Sequence, residues 1–149
     1  MTVGRICQRN VVTIGPDEDL TAAARLMREK HVGYLVVVEP VPAGGKVVGV
    51  LTDRDIVVSV VAREVNPTAL TVRDVMTRNP LLADESAPVE ATLRNMREVG
   101  VRRVPVTDAH GCVTGVLSVD DALDALADQL NSIAGSIRNE QRIERFVRP

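Results

Sequence analysis

The sequence states nearly the same thing twice, and that limits its possible folds more than any other feature. Gly49-Val50-Leu51-Thr52-Asp53-Arg54-Asp55-Ile56 returns as Gly115-Val116-Leu117-Ser118-Val119-Asp120-Asp121-Ala122. Both copies read Gly-Val-Leu-(Thr/Ser)-x-x-Asp-apolar. Upstream, residues 5–38 laid on 74–107, an offset of 69, agree at Arg9/Arg78, Asn10/Asn79, Ala22/Ala91, Arg25/Arg94, Met27/Met96, Arg28/Arg97, Glu29/Glu98, Val32/Val101 and Val37/Val106. The offset falls to 66 by Gly49/Gly115, so the first repeat carries an insertion of three residues near Pro40–Lys46. A duplicated unit usually buries its apolar face against its twin. The cleft between the twins is then a natural place for a ligand.

Each repeat reads β-α-β-β-α. Val11–Ile14 is short and β-branched, and Gly15-Pro16-Asp17 stops it. The pattern predicts Asp17 as the cap of a helix with Leu20, Ala24 and Met27 facing inward, ending near Lys30–Gly33. Tyr34–Val38 predicts a buried strand, Glu39–Gly45 a Pro/Gly-rich loop, and Val47–Leu51 the next strand. Thr52 opens a helix that runs to about Ala62. In the second repeat Leu81–Ala83 is a strand, and Ser86 caps a helix with Pro88 in its first turn and Val89, Leu93 and Met96 on one face. Val104–Val106 and Val113–Leu117 are strands joined by the turn Asp108–Gly111, and Ser118 opens the last helix. The expected organisation is repeat one at 1–62, a linker at 63–73, repeat two at 74–127 and a helical tail at 128–149. The class is α+β (α/β-like), two repeats about a pseudo-two-fold axis with a C-terminal helical extension.

In that last helix Leu123, Leu126, Leu130, Ile133 and Ile137 alternate spacings of three and four, a narrow heptad stripe. Gly135 weakens it by about 1 kcal/mol relative to Ala. The stripe can lie on its own domain or pair with a second copy. Beyond it, Arg138, Arg142, Arg145 and Arg148 among Glu140 and Glu144 read as a solvated helical face with a frayed end.

Composition narrows the function classes. The core must be aliphatic, because the chain of 149 residues has one Phe, one Tyr and no Trp. A net charge of −2 and the lack of stacking aromatics argue against a nucleic-acid partner. The longest apolar run, Ile56–Ala62, is far short of the roughly 18 residues of a membrane span. Met1–Asn10 is short and polar and does not read as a leader. Cys7 and Cys112 have no CxxC spacing, and His110-x-Cys112 is the only close His/Cys pair, in a turn beside Gly111. These read as two ordinary thiols in a reducing cytoplasm rather than a metal site.

The repeated motif has two readings. As a capping box, the Thr52 or Ser118 hydroxyl caps a backbone N–H and Asp55 or Asp121 reaches back. As a binding site, the helix N-terminus accepts a phosphate, the carboxylate accepts hydrogen bonds from both hydroxyls of a ribose, and Gly49 or Gly115 clears room for the ligand. Duplication on facing repeats favours the second reading.

Taken together, Asn10-Val11-Val12-Thr13 with Pro16-Asp17, Val101-Arg102-Arg103-Val104-Pro105-Val106 and both Gly-Val-Leu segments resemble a tandem pair of cystathionine β-synthase (CBS) domains, a Bateman module. The resemblance spans roughly residues 1–127. It implies β-α-β-β-α units joined through their sheets, a disc-like homodimer, and binding of AMP, ADP, ATP or S-adenosylmethionine. It also implies a sensory role toward an attached or separate protein whose identity the sequence does not give. By the same resemblance Asp55 and Asp121 are ribose acids, and Thr52 and Ser118 are sugar/phosphate hydroxyls. The base contacts come from the opposite repeat, Leu81 and Leu82 serving the Asp55 site and Val11 and Val12 the Asp121 site. Val50 and Val116 line the pockets, Arg102 and Arg103 contact phosphates, and Pro105 lies in the same ligand-facing segment. Repeat one has Gly33 and Tyr34 where repeat two has the arginines, so the two sites are expected to be unequal. The arginines also read as a solvated strand edge or an ion pair, and alternation along a strand sends them to opposite faces. A nucleotide-independent interaction module is the alternative function. An enzyme such as a nucleotide hydrolase lacks a nucleophile–base pair or Walker loop here.

Overall fold

The computed structural model describes residues 1–147 and builds one small sheet per repeat, each with its own aliphatic core. Arg148 and Pro149, the end of the expected tail, lie outside the described residues. The chain opens with a one-turn helix α1 (Val3–Ile6), followed by β1 (Thr13–Ile14), α2 (Leu20–Lys30), β2 (Tyr34–Val41), β3 (Gly44–Thr52) and α3 (Asp53–Ile56), which widens into a π-helical turn at Val57–Val61. After a 3-10 turn at Pro67–Ala69 the order recurs as α4 (Val72–Val75), β4 (Thr77–Arg78), β5 (Ala83–Asp84), α5 (Val89–Val99), β6 (Arg103–Thr107), β7 (Val113–Ser118) and α6 (Val119–Val147). In each repeat a short first strand pairs in parallel with the second, and the second pairs antiparallel with the third.

The two leading helices are the unexpected part of the repeat, and each packs on the other repeat's core. Val3 of α1 is fully buried in the second core, among Ala83, Met96, Val104 and Leu117. Val72 and Met76, from the predicted linker and the start of repeat two, belong to the first core with Leu20, Leu35 and Leu51. The backbone follows the same exchange. Thr77 of β4 pairs with Val50 in the first sheet, and Gln8 bridges Val116 in the second. The repeated Arg9/Arg78 each hold the carbonyl of the residue five earlier, Gly4 at 2.6 Å and Arg73 at 3.2 Å. The repeated glycines make room for this crossing. A Cβ on Gly49 would stand 2.9 Å from the Thr77 carbonyl oxygen, and one on Gly115 would stand 2.9 Å from that of Gln8.

Several elements depart from the sequence pattern. Asp19, not Asp17, caps α2 by accepting from the Ala22 N–H, which turns Ala23 inward and leaves Ala24 exposed. The Pro/Gly-rich segment 39–45 is not a loop. β2 and β3 continue through it as a hairpin, with Pro40 opposite Gly45, so the insertion lengthens the two strands; the register shift at Val37/Val38 recurs at Val106/Thr107 in the second repeat. The first strands shrink to two residues, Thr13–Ile14 and Ala83–Asp84. Pro88 stands at the N-cap of α5 instead of inside it, and Ser86 bonds back to Asp84. α6 packs on the second core through Val119 and Ala122, but its stripe does not: Leu123, Leu126, Leu130, Ile133 and Ile137 are each at least half exposed. No helix among the described residues is long and apolar enough to cross a membrane.

Candidate ligand-binding clefts

Where the repeats face each other the structure leaves two clefts related by the pseudo-two-fold axis, and they are unequal. The larger has a volume of about 550 Å³, within the usual range for small-molecule sites. The first repeat supplies Tyr34, Val50, Thr52 and Asp55. The second supplies Thr77, Asn79, Pro80 and Leu81 from its leading segment, and Val99, Val101, Arg102, Arg103 and Asp120 from the other side. One wall is therefore apolar, one edge carries a hydroxyl and a carboxylate, and the rim carries two guanidinium groups.

Thr52 and Asp55 are fixed by a complete capping box. The Thr52 N–H donates to Asp55 Oδ2 at 2.8 Å, and the Asp55 N–H donates to Thr52 Oγ1 at 3.1 Å. The capping role is thus real, and it uses one carboxylate oxygen. Among the described residues nothing hydrogen-bonds Asp55 Oδ1. Capping and binding are compatible at this residue because a carboxylate has acceptor sites to spare.

The second copy of the motif is built alike. Asp121 Oδ2 accepts from the Ser118 N–H at 2.9 Å and from the Ser118 hydroxyl at 2.7 Å. Its Oδ1 accepts from Gln8 Nε2 at 2.9 Å. Burial acts to raise the Asp121 carboxyl, but the Gln8 and Ser118 hydrogen bonds and the Arg103 charge outweigh it and hold the group below the usual carboxylate range. The smaller cleft, about 260 Å³, is lined by Asn10, Val11, Val12, His31, Val32, Gly33, Tyr34, Val36, Arg103 and Val116. Neither Ser118 nor Asp121 lines it.

The arginines are spent partly within the protein. Arg102 precedes β6 and pairs with Asp120 at 3.5 Å, on an exposed rim. Because Arg102 lies outside the strand, alternation does not separate the two side chains, and both line the larger cleft. The Arg103 guanidinium lies 5.8 Å from the centre of the Tyr34 ring, within cation–π range. Burial pushes the Tyr34 phenol up, against the opposing pull of Arg103, so it remains a neutral hydroxyl. Tyr34 and Arg103 occupy equivalent repeat positions and line both clefts, one on each side of the axis.

Of the residues singled out from the sequence, Val50, Thr52, Asp55, Leu81, Arg102 and Arg103 converge on the larger cleft, and Val11, Val12 and Val116 on the smaller. Leu82 lines neither and is exposed. Pro105 is fully buried opposite Val116 in the sheet. Sequence reasoning missed Tyr34, Thr77, Asn79, Pro80 and Asp120. The repeat itself held the signal for two of them: the offset of 69 carries Asn10, Val11 and Val12 onto Asn79, Pro80 and Leu81. Among the described residues no His, Cys, Asp and Glu side chains gather into a metal-holding group, and neither cysteine is in a disulfide.

The fold and paired clefts are those of a two-repeat small-molecule-binding module. A family model for the CBS domain matches residues 3–62 and 72–128, beginning in each case at a leading helix. The chain belongs to the CBS-domain family. It is 36% identical over 123 residues to hypoxic response protein 1 of Mycobacterium tuberculosis, covering 82% of this chain and 84% of that one. It is 31% identical over 123 residues to an uncharacterised protein of Methanopyrus kandleri, covering 83% of this chain and 61% of that protein's length. Among solved structures, the CBS domain pair of protein MJ0100 in complex with 5′-methylthioadenosine and S-adenosyl-L-methionine superposes with a TM-score of 0.72 at 25% identity, covering 85% of this chain and 99% of that one.

Proposed function

We propose that this protein is a regulatory module that binds an adenosine-containing ligand of the AMP, ADP, ATP or S-adenosylmethionine type in the larger cleft and signals occupancy to a partner protein. The observation that carries this reading is the convergence, in one cleft of about 550 Å³, of Thr52 and Asp55 from one repeat with the apolar Pro80–Leu81 edge and Arg102/Arg103 from the other. Asp55 Oδ1 accepts from the ribose, the Pro80–Leu81 edge packs on the base, and the arginines meet phosphate or carboxylate oxygens. A ligand held by both repeats favours the arrangement in which they sit closest, and it shifts the population by its affinity difference between the two arrangements. The related domain pair in complex with two adenosine derivatives supports the ligand class. We place the protein in the cytoplasm, where its two cysteines stay reduced.

Isothermal titration with adenosine, AMP, ADP, ATP, 5′-methylthioadenosine and S-adenosylmethionine tests the proposal. Saturable binding by at least one of them, lost in Asp55→Ala, is expected. Absence of binding by all six would leave the alternative of an assembly module, which the exposed stripe on α6 favours.

A further inference from the structure

We infer that Gln8 occupies the sugar-binding position of the second cleft, so that the chain holds one adenosine-type ligand and not two. The inference rests on reading Asp55 and Asp121 as ribose acceptors.

The exchange of leading segments puts Gln8 and Thr77 at equivalent places, an offset of 69. Gln8 trades two backbone hydrogen bonds of 2.9 Å with Val116, and Thr77 pairs with Val50. Each side chain therefore leaves its crossing segment next to the strand that leads into one copy of the motif. Thr77 forms no hydrogen bond to Asp55, and it lines the larger cleft. The longer Gln8 reaches Asp121, and its amide N–H donates to Oδ1 at 2.9 Å. Oδ2 is already engaged twice by Ser118. Both oxygens of Asp121 are thus engaged, by three hydrogen bonds that leave about one acceptor site, while Asp55 keeps Oδ1 whole for a ligand.

A ribose diol donates two hydrogen bonds, so Asp121 can hold both only by giving up one it already accepts, and that from Gln8 is a charge-assisted contact stronger than a neutral one. Nor is Asp121 a charge in want of a partner, since Gln8, Ser118 and Arg103 already stabilise its anion. The clefts differ accordingly: the one beside Asp55 measures about 550 Å³ and includes its acid, whereas the other measures about 260 Å³ and does not. Both motif copies retain their hydroxyl, acid and capping geometry, so what sets the two acids apart is the Gln8 side chain.

The test is the number of ligands bound per chain, by isothermal titration with AMP and separately with S-adenosylmethionine. Wild type is expected to bind one equivalent. Gln8→Thr, which gives the second cleft the residue of the first, is expected to bind two. Thr77→Gln, the reciprocal change, is expected to weaken the first site by roughly tenfold or more. Gln8 is exposed, so an unchanged melting temperature identifies a folded variant. Two equivalents in wild type, or one in a folded Gln8→Thr, overturns the inference. Failure of every variant to bind either ligand overturns the adenosine reading instead, and with it the ligand count. The contact itself is read without ligand from the Asp121 carboxyl by carbon NMR. It should titrate at higher pH in Gln8→Thr than in wild type, and an unmoved titration shows that Gln8 does not hold the acid.

Discussion

At Asp55 one carboxylate serves two ends in the proposed function. Oδ2 closes the cap that starts α3, and Oδ1 has no partner among the described residues. The two can be separated by substitution. Asp55→Asn keeps a carbonyl oxygen for the Thr52 N–H and loses the charge, so its melting temperature should stay close to wild type. Its affinity for AMP should fall by about tenfold to a hundredfold, the worth of a hydrogen bond of about 1.5–3 kcal/mol to a charged group. Asp55→Ala also removes the N3 half of the capping box, leaving the Thr52 hydroxyl in place, and should lose about 1 kcal/mol of stability for the lost hydrogen bond to the Thr52 N–H. Unchanged AMP affinity in both variants would remove Asp55 from the site. A second residue-scale expectation concerns His31. It caps α2 with φ 54°, the left-handed region, where repeat two has Gly100 at φ 79°. Left-handed backbone costs a side-chain-bearing residue roughly 1–2 kcal/mol, part of which glycine gives back through its freer unfolded chain. His31→Gly should therefore raise stability by roughly 0.5–1 kcal/mol in urea melts. Residues that act within their own repeat, such as Thr52 and Asp55, could be read from the sequence because the motif recurs. Gln8, Tyr34 and Asp120 could not. Gln8 and Tyr34 act across the repeat boundary, Asp120 pairs with Arg102 of its own repeat, and each of the three differs from its counterpart, so repetition gives no signal.

Among the elements, α6 is the one whose sequence pattern outruns its contacts. Its stripe has heptad spacing, yet Leu126, Leu130 and Ile133 are 50%, 60% and 59% exposed. An apolar stripe of that length on a monomer marks an interaction surface. The homodimer that the family resemblance implies would give it an occupant. Leu126→Glu with Ile133→Glu should convert a dimer to a monomer in sedimentation without loss of the melting transition, because these side chains touch neither core. Truncation after Ala127 should do the same. A dimer that survives both changes would assign pairing to the helices of the repeats. The hairpin at 39–45 shows the opposite case, an element that composition conceals. Pro40, Pro42, Gly44 and Gly45 read as breakers, but Pro40 needs no ladder N–H opposite Gly45. Arg73 also ties the extended strand down through Glu39 at 3.0 Å. The one-residue slip in the inward face of α2 has an equally local cause, since Asp19 rather than Asp17 reaches the Ala22 N–H.

At the scale of the whole molecule the repeats are not separable bodies. Each core is completed by a helix that belongs in sequence to the other's leading segment, Val3 in one and Val72 in the other. Val3→Ala should destabilise the protein by about 2 kcal/mol, the lower end for truncating a buried aliphatic side chain. It should shift a single cooperative melting transition rather than split it. Two separate transitions in calorimetry would show that the cores melt independently. Sequence could find the two repeats and their order, but the exchange was out of reach, because a linker and a swapped helix have the same composition. The exchange also sets the timetable of synthesis. When Thr52 leaves the ribosome, the sheet it ends still has a bare edge at Gly49 and Val50, and Val3 has no core to enter. The strand that covers that edge, Thr77–Arg78, is made some two dozen residues later, and the walls around Val3 are complete only after Leu117. A nascent chain paused midway holds an open edge and an unburied helix at once. The first repeat reaches its native packing only when the leading segment of the second has been made, and the second only near the end of the pair.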